Sequence, residues 1–183
     1  MRSTTPEERV RRAGDLALRP WTLRDADQVL SAFADPAIRH YAGNLYDTAA
    51  DAERFVTSRS RSWDDGTGAS WAITAAATRT VLGHVGLHEM DPGLELAMVG
   101  YWLLPRARGR GVMTVALDAV SAFGFGRLGL HRIELAHAVE NKVSCLVAGR
   151  AGYSYEGTLR HAMRYPVDGR WSDEHLHARL ATD

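Results

Sequence analysis

Apolar and polar residues alternate along several short stretches of the chain, as they do in strands that bury one face. The alternation predicts a first strand over residues 16–21 and three more over residues 70–75, 81–90 and 94–104. The turn Asp91-Pro92-Gly93 lies between the last two of these and favours a tight connection. Together, the three central strands are typical of an antiparallel meander.

Other segments place apolar residues at intervals of three and four, which is the spacing of a helix with one buried face. Thr22-Leu23-Arg24-Asp25 fits a capping box and predicts a helix to about Phe33, which Asp35-Pro36 then interrupts. Further helices are predicted over residues 47–62, 112–128 and 141–151, and further strands over residues 132–139, 153–165 and 174–180.

The predicted elements follow the order strand, two helices, three strands, helix, strand, helix and two strands. This order predicts a mixed α/β (α+β) fold with one central sheet. Residues 15–183 are expected to form a single domain, because no linker or repeat divides them. Residues 1–14 are polar and rich in arginine and glutamate, which predicts a flexible N-terminal tail.

The charge balance and the cysteine count narrow the choice of partners and compartment. Lys and Arg total 22, as do Asp and Glu, so neither nucleic acid nor a membrane surface is expected as the main partner. The one cysteine, Cys145, excludes an internal disulfide and suits a reducing compartment. No apolar run approaches the roughly 20 residues of a membrane helix. A cytoplasmic location is therefore expected.

A short loop between a buried strand and a helix carries the strongest chemical signal. It comprises Pro105-Arg106-Ala107-Arg108-Gly109-Arg110-Gly111, and the predicted helix opens at Val112. Helix starts leave unpaired N–H groups that bind anions, and glycines let the backbone approach a phosphate closely. Arginines add charge-assisted hydrogen bonds. The loop therefore predicts a pyrophosphate cradle, although its glycine spacing fits neither a Walker A loop nor a dinucleotide fingerprint.

This loop resembles the Arg/Gln-x-x-Gly-x-Gly/Ala motif of the GNAT superfamily of N-acetyltransferases, which Arg106–Gly111 matches at every defined position. Three other segments are similar to the branch that acetylates ribosomal-protein N-termini. They are Gly100-Tyr101-Trp102-Leu103-Leu104-Pro105, Glu140-Asn141-Lys142-Val143-Ser144 and Ala151-Gly152-Tyr153-Ser154-Tyr155-Glu156-Gly157. The motifs occur in the family's order, and the element pattern agrees over residues 16–180.

The resemblance implies a mixed, mostly antiparallel sheet that is splayed after its fourth strand and flanked by about four helices. It also implies acetyl-CoA as the cofactor, CoA as the product, no metal, and direct transfer of the acetyl group to a primary amine. That amine would be a protein N-terminus or a small molecule. The implied cofactor-binding residues are Trp102, Leu103, Leu104, Arg106, Arg108, Gly109, Arg110, Gly111, Val112, Met113, Thr114, Asn141 and Ser144.

The same resemblance assigns catalytic roles. The backbone N–H near Leu103 would stabilise the developing oxyanion, and Ser144 would protonate the leaving thiolate. Asn141 would hold the pantetheine or cap its helix. Related enzymes often carry a glutamate just before the Gly-Tyr-Trp, where this chain has Met98. By position in the sequence, Glu95 is the expected substitute for that glutamate, and Glu89 is the second candidate.

Two histidines and the pKa of the acceptor amine decide whether the reaction requires a general base. His84 and His88 are expected on one strand face about 13 Å apart, which is too far for one metal ion. An α-amine, with a reference pKa near 8, is neutral at pH 7 far more often than lysine, whose pKa is about 10.4. An enzyme without a strong base therefore suits a peptide N-terminus.

Two other interpretations stay open at this point. One is a non-catalytic module that binds CoA. The other is a nucleic-acid binder that uses Arg106, Arg108 and Arg110, which would need a wider basic face with interleaved aromatic residues. Cys145 is expected to be a small buried helix residue. The sequence leaves the acceptor, the size of the acyl group and the oligomeric state open.

Overall fold

One eight-stranded sheet runs through the computed structural model, which describes residues 9–183. The strand order is β1-β2-β3-β4-β5-β6-β8-β7, and every neighbouring pair is antiparallel except β5 and β6. This confirms the predicted mixed, mostly antiparallel sheet. The strands are β1 Arg11–Ala13, β2 Leu16–Arg19, β3 Ala69–Ala75, β4 Val81–Asp91, β5 Leu96–Leu103, β6 Arg132–Ala138, β7 Ser154–Arg164 and β8 Trp171–Leu180.

Capping residues fix where the helices begin. Thr22 and Asp25 form the predicted capping box, and Asp25 Oδ2 accepts from the Thr22 backbone N–H at 2.9 Å. Asp35 caps a short helix that opens at Pro36, so the chain turns where the sequence predicted an interruption. Within residues 9–183, five α-helices flank the sheet, one more than expected: α1 Ala26–Phe33, α2 Pro36–Tyr41, α3 Ala49–Asp65, α4 Val112–Phe123 and α5 Lys142–Arg150.

Successive residues of β3 enter different hydrophobic cores, because side chains alternate across a strand. Trp71 and Ile73 pack with α4 residues such as Leu117 on one face. Ala72 packs with α1 and α3 residues such as Val29 on the other face. The helices thus form two layers that bury both faces of the central strands.

The first described residues correct the predicted N-terminal tail. Arg11–Ala13 form β1 and pair with β2, so the tail does not extend to residue 14. The Trp71 indole N–H donates to the Arg9 carbonyl at 2.6 Å, which ties this segment to the core. Residues 1–8, the remainder of the predicted tail, lie outside the described residues. None of the described helices has the length and apolar character that a membrane crossing requires.

The sheet is splayed between β5 and β6. These two parallel strands pair only over three positions, from Leu96 with Arg132 to Met98 with Glu134. Beyond Met98, β5 continues alongside β4 to Leu103, while β6 continues alongside β8 to Ala138. The facing edges of β5 and β6 are therefore unpaired across the gap. The predicted splay is confirmed, after the fifth strand instead of the fourth because β1 was not counted.

Candidate active site

The gap between β5 and β6 opens into a cavity of about 250 Å³. Its walls come from both splayed strands, from the start of α5 and from β8, with the segment before α3 closing one side. The lining includes Val99, Gly100, Tyr101 and Trp102 of β5, Ala136, His137 and Ala138 of β6, Asn141 and Ser144 at α5, and Glu174 of β8. The fold therefore brings the β5 motif and the Asn141–Ser144 motif together at one cavity.

The last residue of β5, Leu103, directs its backbone N–H and carbonyl towards the gap. The Leu104 N–H donates to the Leu82 carbonyl on β4 at 2.9 Å. Because successive residues of a strand direct their polar backbone groups to opposite edges, the Leu103 N–H and carbonyl face the splayed side. The Leu103 carbonyl accepts from Arg108 Nε at 3.1 Å. The Leu103 N–H is thus the backbone donor that this end of β5 offers to the gap.

Two hydroxyl groups meet at the cavity wall. The Tyr101 hydroxyl is buried and has no well-formed hydrogen bond among the described residues. Burial raises the pKa of Tyr101 to about 12, and the neighbouring Ser144 hydroxyl opposes that shift. A buried hydroxyl without a partner is costly, so this atom is suited to a ligand group that enters the cavity.

Asn141 holds the start of α5. Its side-chain oxygen accepts from the Ser144 backbone N–H at 3.2 Å, which makes Asn141 the N-cap that the sequence allowed. Since Asn141 also lines the cavity, the cap and a ligand contact are compatible roles. The cap places Ser144 in the first turn of α5, facing β5.

The glycine-rich loop ends in an exposed helix start. Gly109 and Gly111 have φ of +72° and +73°, a left-handed conformation that favours glycine. Gly111 is the N-cap of α4, and no side chain among residues 9–183 caps this helix. The first amides of α4, from Val112 to Thr114, consequently point outward with the positive end of the helix dipole. This arrangement can bind a pyrophosphate.

Glu174 is the carboxylate of the cavity lining. It lies half-buried on β8, and burial raises the pKa of its side chain. On β4, His84 and His88 line the same cavity, which confirms that they share a strand face. Trp21 Nε1 donates to His84 Nδ1 at 3.1 Å, and burial lowers the pKa of His84 well below its usual value. His84 is therefore a neutral packing residue.

Residues 15–154 match the Acetyltransferase (GNAT) domain family. The chain belongs to the GNAT acetyltransferase family. It is 26% identical to the uncharacterized N-acetyltransferase YoaA of Bacillus subtilis, over 81% of this chain and 84% of that protein. It is 29% identical to the ribosomal-protein-serine acetyltransferase of Escherichia coli, over 55% of each chain.

Solved GNAT structures share the fold. The ribosomal L7/L12 α-N-protein acetyltransferase in complex with coenzyme A superimposes with a TM-score of 0.84 at 19% identity, covering 93% of this chain and 97% of that one. Membership of the GNAT family makes this protein an acetyl-CoA-dependent N-acetyltransferase. The resemblance to the GNAT superfamily that was inferred from the sequence motifs is confirmed.

Within this GNAT fold, two of the three loop arginines are committed to the protein itself. Arg106 donates to the Val81 carbonyl at 2.6 Å, and Arg108 forms an ion pair with Asp35 at 2.6 Å. Their predicted role in cofactor binding therefore stays a prediction, and the structure shows that both side chains also hold the loop in place. Arg110 is exposed and lies directly before the uncapped helix start, so it stays a predicted cofactor contact.

The structure places Glu95, the predicted catalytic carboxylate, outside this cavity. Glu95 occupies the β4–β5 turn with φ of +52°, and its carbonyl accepts from the backbone of His131 and Arg132. It lies four residues before Val99, the first cavity residue of β5, or roughly 13 Å along the strand. Glu89 is exposed as well, with its carboxylate 3.5 Å from His88 Nδ1.

Sequence reasoning missed Glu174, Tyr101 and Arg59 as cavity residues. Glu174 comes from β8, whose pairing with β6 places it opposite Ala138. The signal available in the sequence was the spacing within the Gly-Tyr-Trp segment, where Tyr101 and Val99 share a face by alternation. Arg59 of α3 lines the cavity with its guanidinium over the Phe55 ring.

Proposed function

We propose that this GNAT enzyme transfers the acetyl group of acetyl-CoA to the α-amine of a peptide or protein N-terminus in the cavity between β5 and β6. The observation that carries the proposal is that Ser144 and Glu174 line one cavity together with Trp102, the residue directly before Leu103 on β5. The relative in Escherichia coli is a ribosomal-protein-serine acetyltransferase, which supports a protein acceptor. The oligomeric state is not part of the proposal.

The residues that would hold the cofactor follow the line of the gap. The free edge of β5 at Trp102–Leu104 would bind the pantetheine arm, chiefly through the backbone of Leu103. The amides of Val112, Met113 and Thr114, together with Gly109, Arg110 and Gly111, would bind the pyrophosphate. Asn141 and Ser144 would contact the cofactor near its sulfur. The start of α4, which no described side chain caps, and the buried Tyr101 hydroxyl beside Ser144 fit such a ligand.

Acetyl-CoA supplies an activated thioester when it is bound. Glu174 accepts the proton that the attacking amine loses, and its raised pKa makes it a better base at neutral pH than an exposed glutamate. The Leu103 N–H donates to the oxygen on which negative charge develops. The Ser144 hydroxyl, adjacent to Tyr101, would donate a proton to the leaving sulfur and regain one from solvent.

An α-amine suits this cavity better than a lysine side chain. At pH 7 a larger fraction of α-amines than of lysine side chains is neutral. Fewer acceptor molecules therefore have to lose a proton before they can attack the thioester. Arg59 adds a cation to the cavity wall, and its Nε is buried without a hydrogen-bond partner in the described part of the chain. This guanidinium would favour acceptors with an anionic group near the amine. The lone cysteine of the chain suits a cytoplasmic reaction.

Matched peptides test the acceptor. One peptide has a free N-terminus and no lysine, and the other has the same sequence with a blocked N-terminus and one lysine. With acetyl-CoA, we expect acetylation of the first peptide and little of the second, measured by mass spectrometry. An acidic second residue should raise the rate in wild type and have less effect in Arg59→Gln. Equal rates for both peptides would contradict the α-amine preference.

The two alternatives make different predictions. A nucleic-acid binder would need Arg106 and Arg108 free, and both are bonded within the fold. A non-catalytic CoA-binding module would be stabilised by CoA but would acetylate neither peptide. Acetyl transfer that is strongly reduced in Ser144→Ala, in a variant that still binds CoA, would exclude the non-catalytic module.

A further inference from the structure

Three histidines and the cysteine converge between α5 and the sheet, beside the proposed active site. His137 on β6 lies opposite His175 on β8, and His177 follows two residues later on the same face of β8. Cys145 belongs to α5, which packs over this part of the sheet. One ligand atom from each of the four residues lies within 4.8 Å of those of the other three.

Hydrogen bonds orient two of the imidazole rings towards each other. His137 Nδ1 lies 2.9 Å from the Ala138 carbonyl oxygen, and His177 Nδ1 lies 3.4 Å from the Tyr153 carbonyl oxygen. A carbonyl only accepts, so each Nδ1 carries the proton in the neutral ring and each Nε2 presents a lone pair. The two Nε2 atoms are 3.3 Å apart. Two lone pairs at that distance repel each other, and a cation bound to both nitrogens would remove the repulsion.

The separation of these two rings equals that of two ligands on one tetrahedral ion. Zinc–nitrogen bonds of about 2.0–2.1 Å at a tetrahedral angle place the nitrogens about 3.3 Å apart and the ring centres about 5.2 Å apart. The observed values for His137 and His177 are 3.3 Å and 5.2 Å. The third ring, His175, lies 5.5 Å from His137 and 6.4 Å from His177, so this ring would have to move by about 1 Å to reach the same separation.

His175 supplies an independent observation that points to a ligand. Its Nδ1 is buried and has no hydrogen-bond partner in the described part of the chain. Buried ring nitrogens normally have a hydrogen-bond partner. A metal ion bound by this ring would explain why the Nδ1 atom has none. Cys145 is the free thiol beside it and is partly buried, not fully buried as the sequence predicted.

We propose that His137, Cys145, His175 and His177 form a binding site for Zn²⁺. Imidazole nitrogen and thiolate are preferred zinc ligands, and three histidines with one cysteine complete a closed tetrahedral shell. Hydrogen bonds from Nδ1 to backbone carbonyls are the usual support of a zinc-ligating histidine. Binding releases the thiol proton of Cys145 to solvent as the zinc–sulfur bond forms.

The ion would connect three elements and fix the start of α5. It would join β6, β8 and α5 through side chains, and Cys145 directly follows Ser144. Access is available from the surface, because the Tyr155 ring lies 5.0 Å from His175 and 5.5 Å from His177 and is 55% exposed. Occupancy therefore stabilises the fold in the absence of any acetyl transfer.

Cobalt titration of the chelator-treated full chain tests the ligand set. We expect one Co²⁺ per chain with the visible bands of a tetrahedral site and a near-ultraviolet thiolate charge-transfer band. Cys145→Ser should lose the charge-transfer band, and His175→Asn should weaken binding. His131→Asn is the matched control, because His131 is exposed at the start of β6 and outside the cluster. Identical spectra for wild type and Cys145→Ser would overturn the proposal.

Zinc-dependent melting provides a second measurement. A saturating concentration of Zn²⁺ should raise the melting temperature of wild type and of His131→Asn by a few degrees. The rise should disappear in Cys145→Ser and in His177→Asn, each compared with its own metal-free melting temperature. A rise that persists in both variants, or no rise in wild type, would show that these four residues do not form the site.

Discussion

At the scale of single residues, the most informative side chain is a carboxylate whose partial burial lowers the stability of the folded state. Glu174 is half-buried in the cavity lining, and burial raises the pKa of its carboxyl group. Desolvation disfavours the ionised form, so the residue weakens the fold at neutral pH. A carboxylate that is half-buried in a cavity and has a raised pKa is a candidate for function.

Replacing Glu174 by glutamine should stabilise the protein at pH 7 and not near pH 4. The folded pKa lies above the unfolded one, so both states are protonated at low pH and no penalty exists there. The penalty grows in wild type as the pH rises from the unfolded pKa to the folded pKa, and it is absent from Glu174→Gln. Urea unfolding at both pH values measures the difference, with Glu53→Gln on the exposed face of α3 as control. A Glu174→Gln variant less stable than wild type at pH 7 would contradict this account.

Asn141 shows how one residue can carry both a cap and a ligand contact. Its side chain accepts from the Ser144 N–H, so Asn141→Ala should cost about 1 kcal/mol in the free energy of unfolding. Asn141→Asp keeps a cap oxygen and should lose little stability. If the amide also contacts the cofactor, both variants should show a raised KM for acetyl-CoA. Unchanged stability in Asn141→Ala, measured by denaturation, would mean that the cap contributes nothing.

At the scale of elements, the loop before α4 was predicted well because its signals are local. Glycines with positive φ, a proline at a strand end and the start of an apolar helix all lie within a dozen residues. The roles of Arg106 and Arg108 were not predictable, because their partners Val81 and Asp35 are distant in sequence. For the same reason Glu95 was misplaced, since the sequence does not say how far along β5 the gap begins.

Gly111→Val should remove CoA binding at this helix start. The left-handed φ at Gly111 makes a β-branched residue costly, and its side chain would lie beside the anion site. Gly129→Val is the matched control, because Gly129 has φ of +74° and also faces open space, away from the loop. In thermal melts, both variants should be less stable than wild type. Only Gly111→Val should lose the added stability of about 2.7 kcal/mol that CoA at 100 times its dissociation constant gives.

If Gly111→Val and Gly129→Val both keep the full response to CoA, the loop does not bind the pyrophosphate. A loss of response in both would mean that backbone strain alone destroys the site, whichever glycine is replaced. The comparison therefore separates a local ligand contact from a general effect on folding.

At the scale of the whole molecule, the order of the elements was predicted from the periodicity of apolar residues, and the splay was predicted from the family motifs. Both kinds of pattern are recognisable in a chain whose sequence identity to its relatives is low. The sequence predicted neither β1, which is only three residues long, nor the register of β8 against β6. That register brings Glu174 into the cavity and His175 opposite His137, from segments more than thirty residues apart in the chain. Both the candidate base and the histidine–cysteine cluster depend on long-range pairing, which local patterns do not encode.

The splayed sheet also explains why one cavity combines the cofactor and the acceptor. The gap separates β5, which offers the Leu103 N–H, from β6 and β8, which support the histidines and Glu174. An amine that enters from the side of α3 would meet the thioester between the two halves of the sheet. The central claim is therefore that acetyl transfer occurs in this gap with Glu174 as the base.

The most direct test is the pH dependence of kcat/KM for acetyl transfer to a free peptide N-terminus, in wild type and in Glu174→Gln. In wild type, the rate should rise with pH through the raised pKa of Glu174 and then follow the deprotonation of the amine. In Glu174→Gln, the rate should be lower and should follow the amine alone, approaching wild type at high pH. The same profile and the same rate in both proteins would contradict the claim.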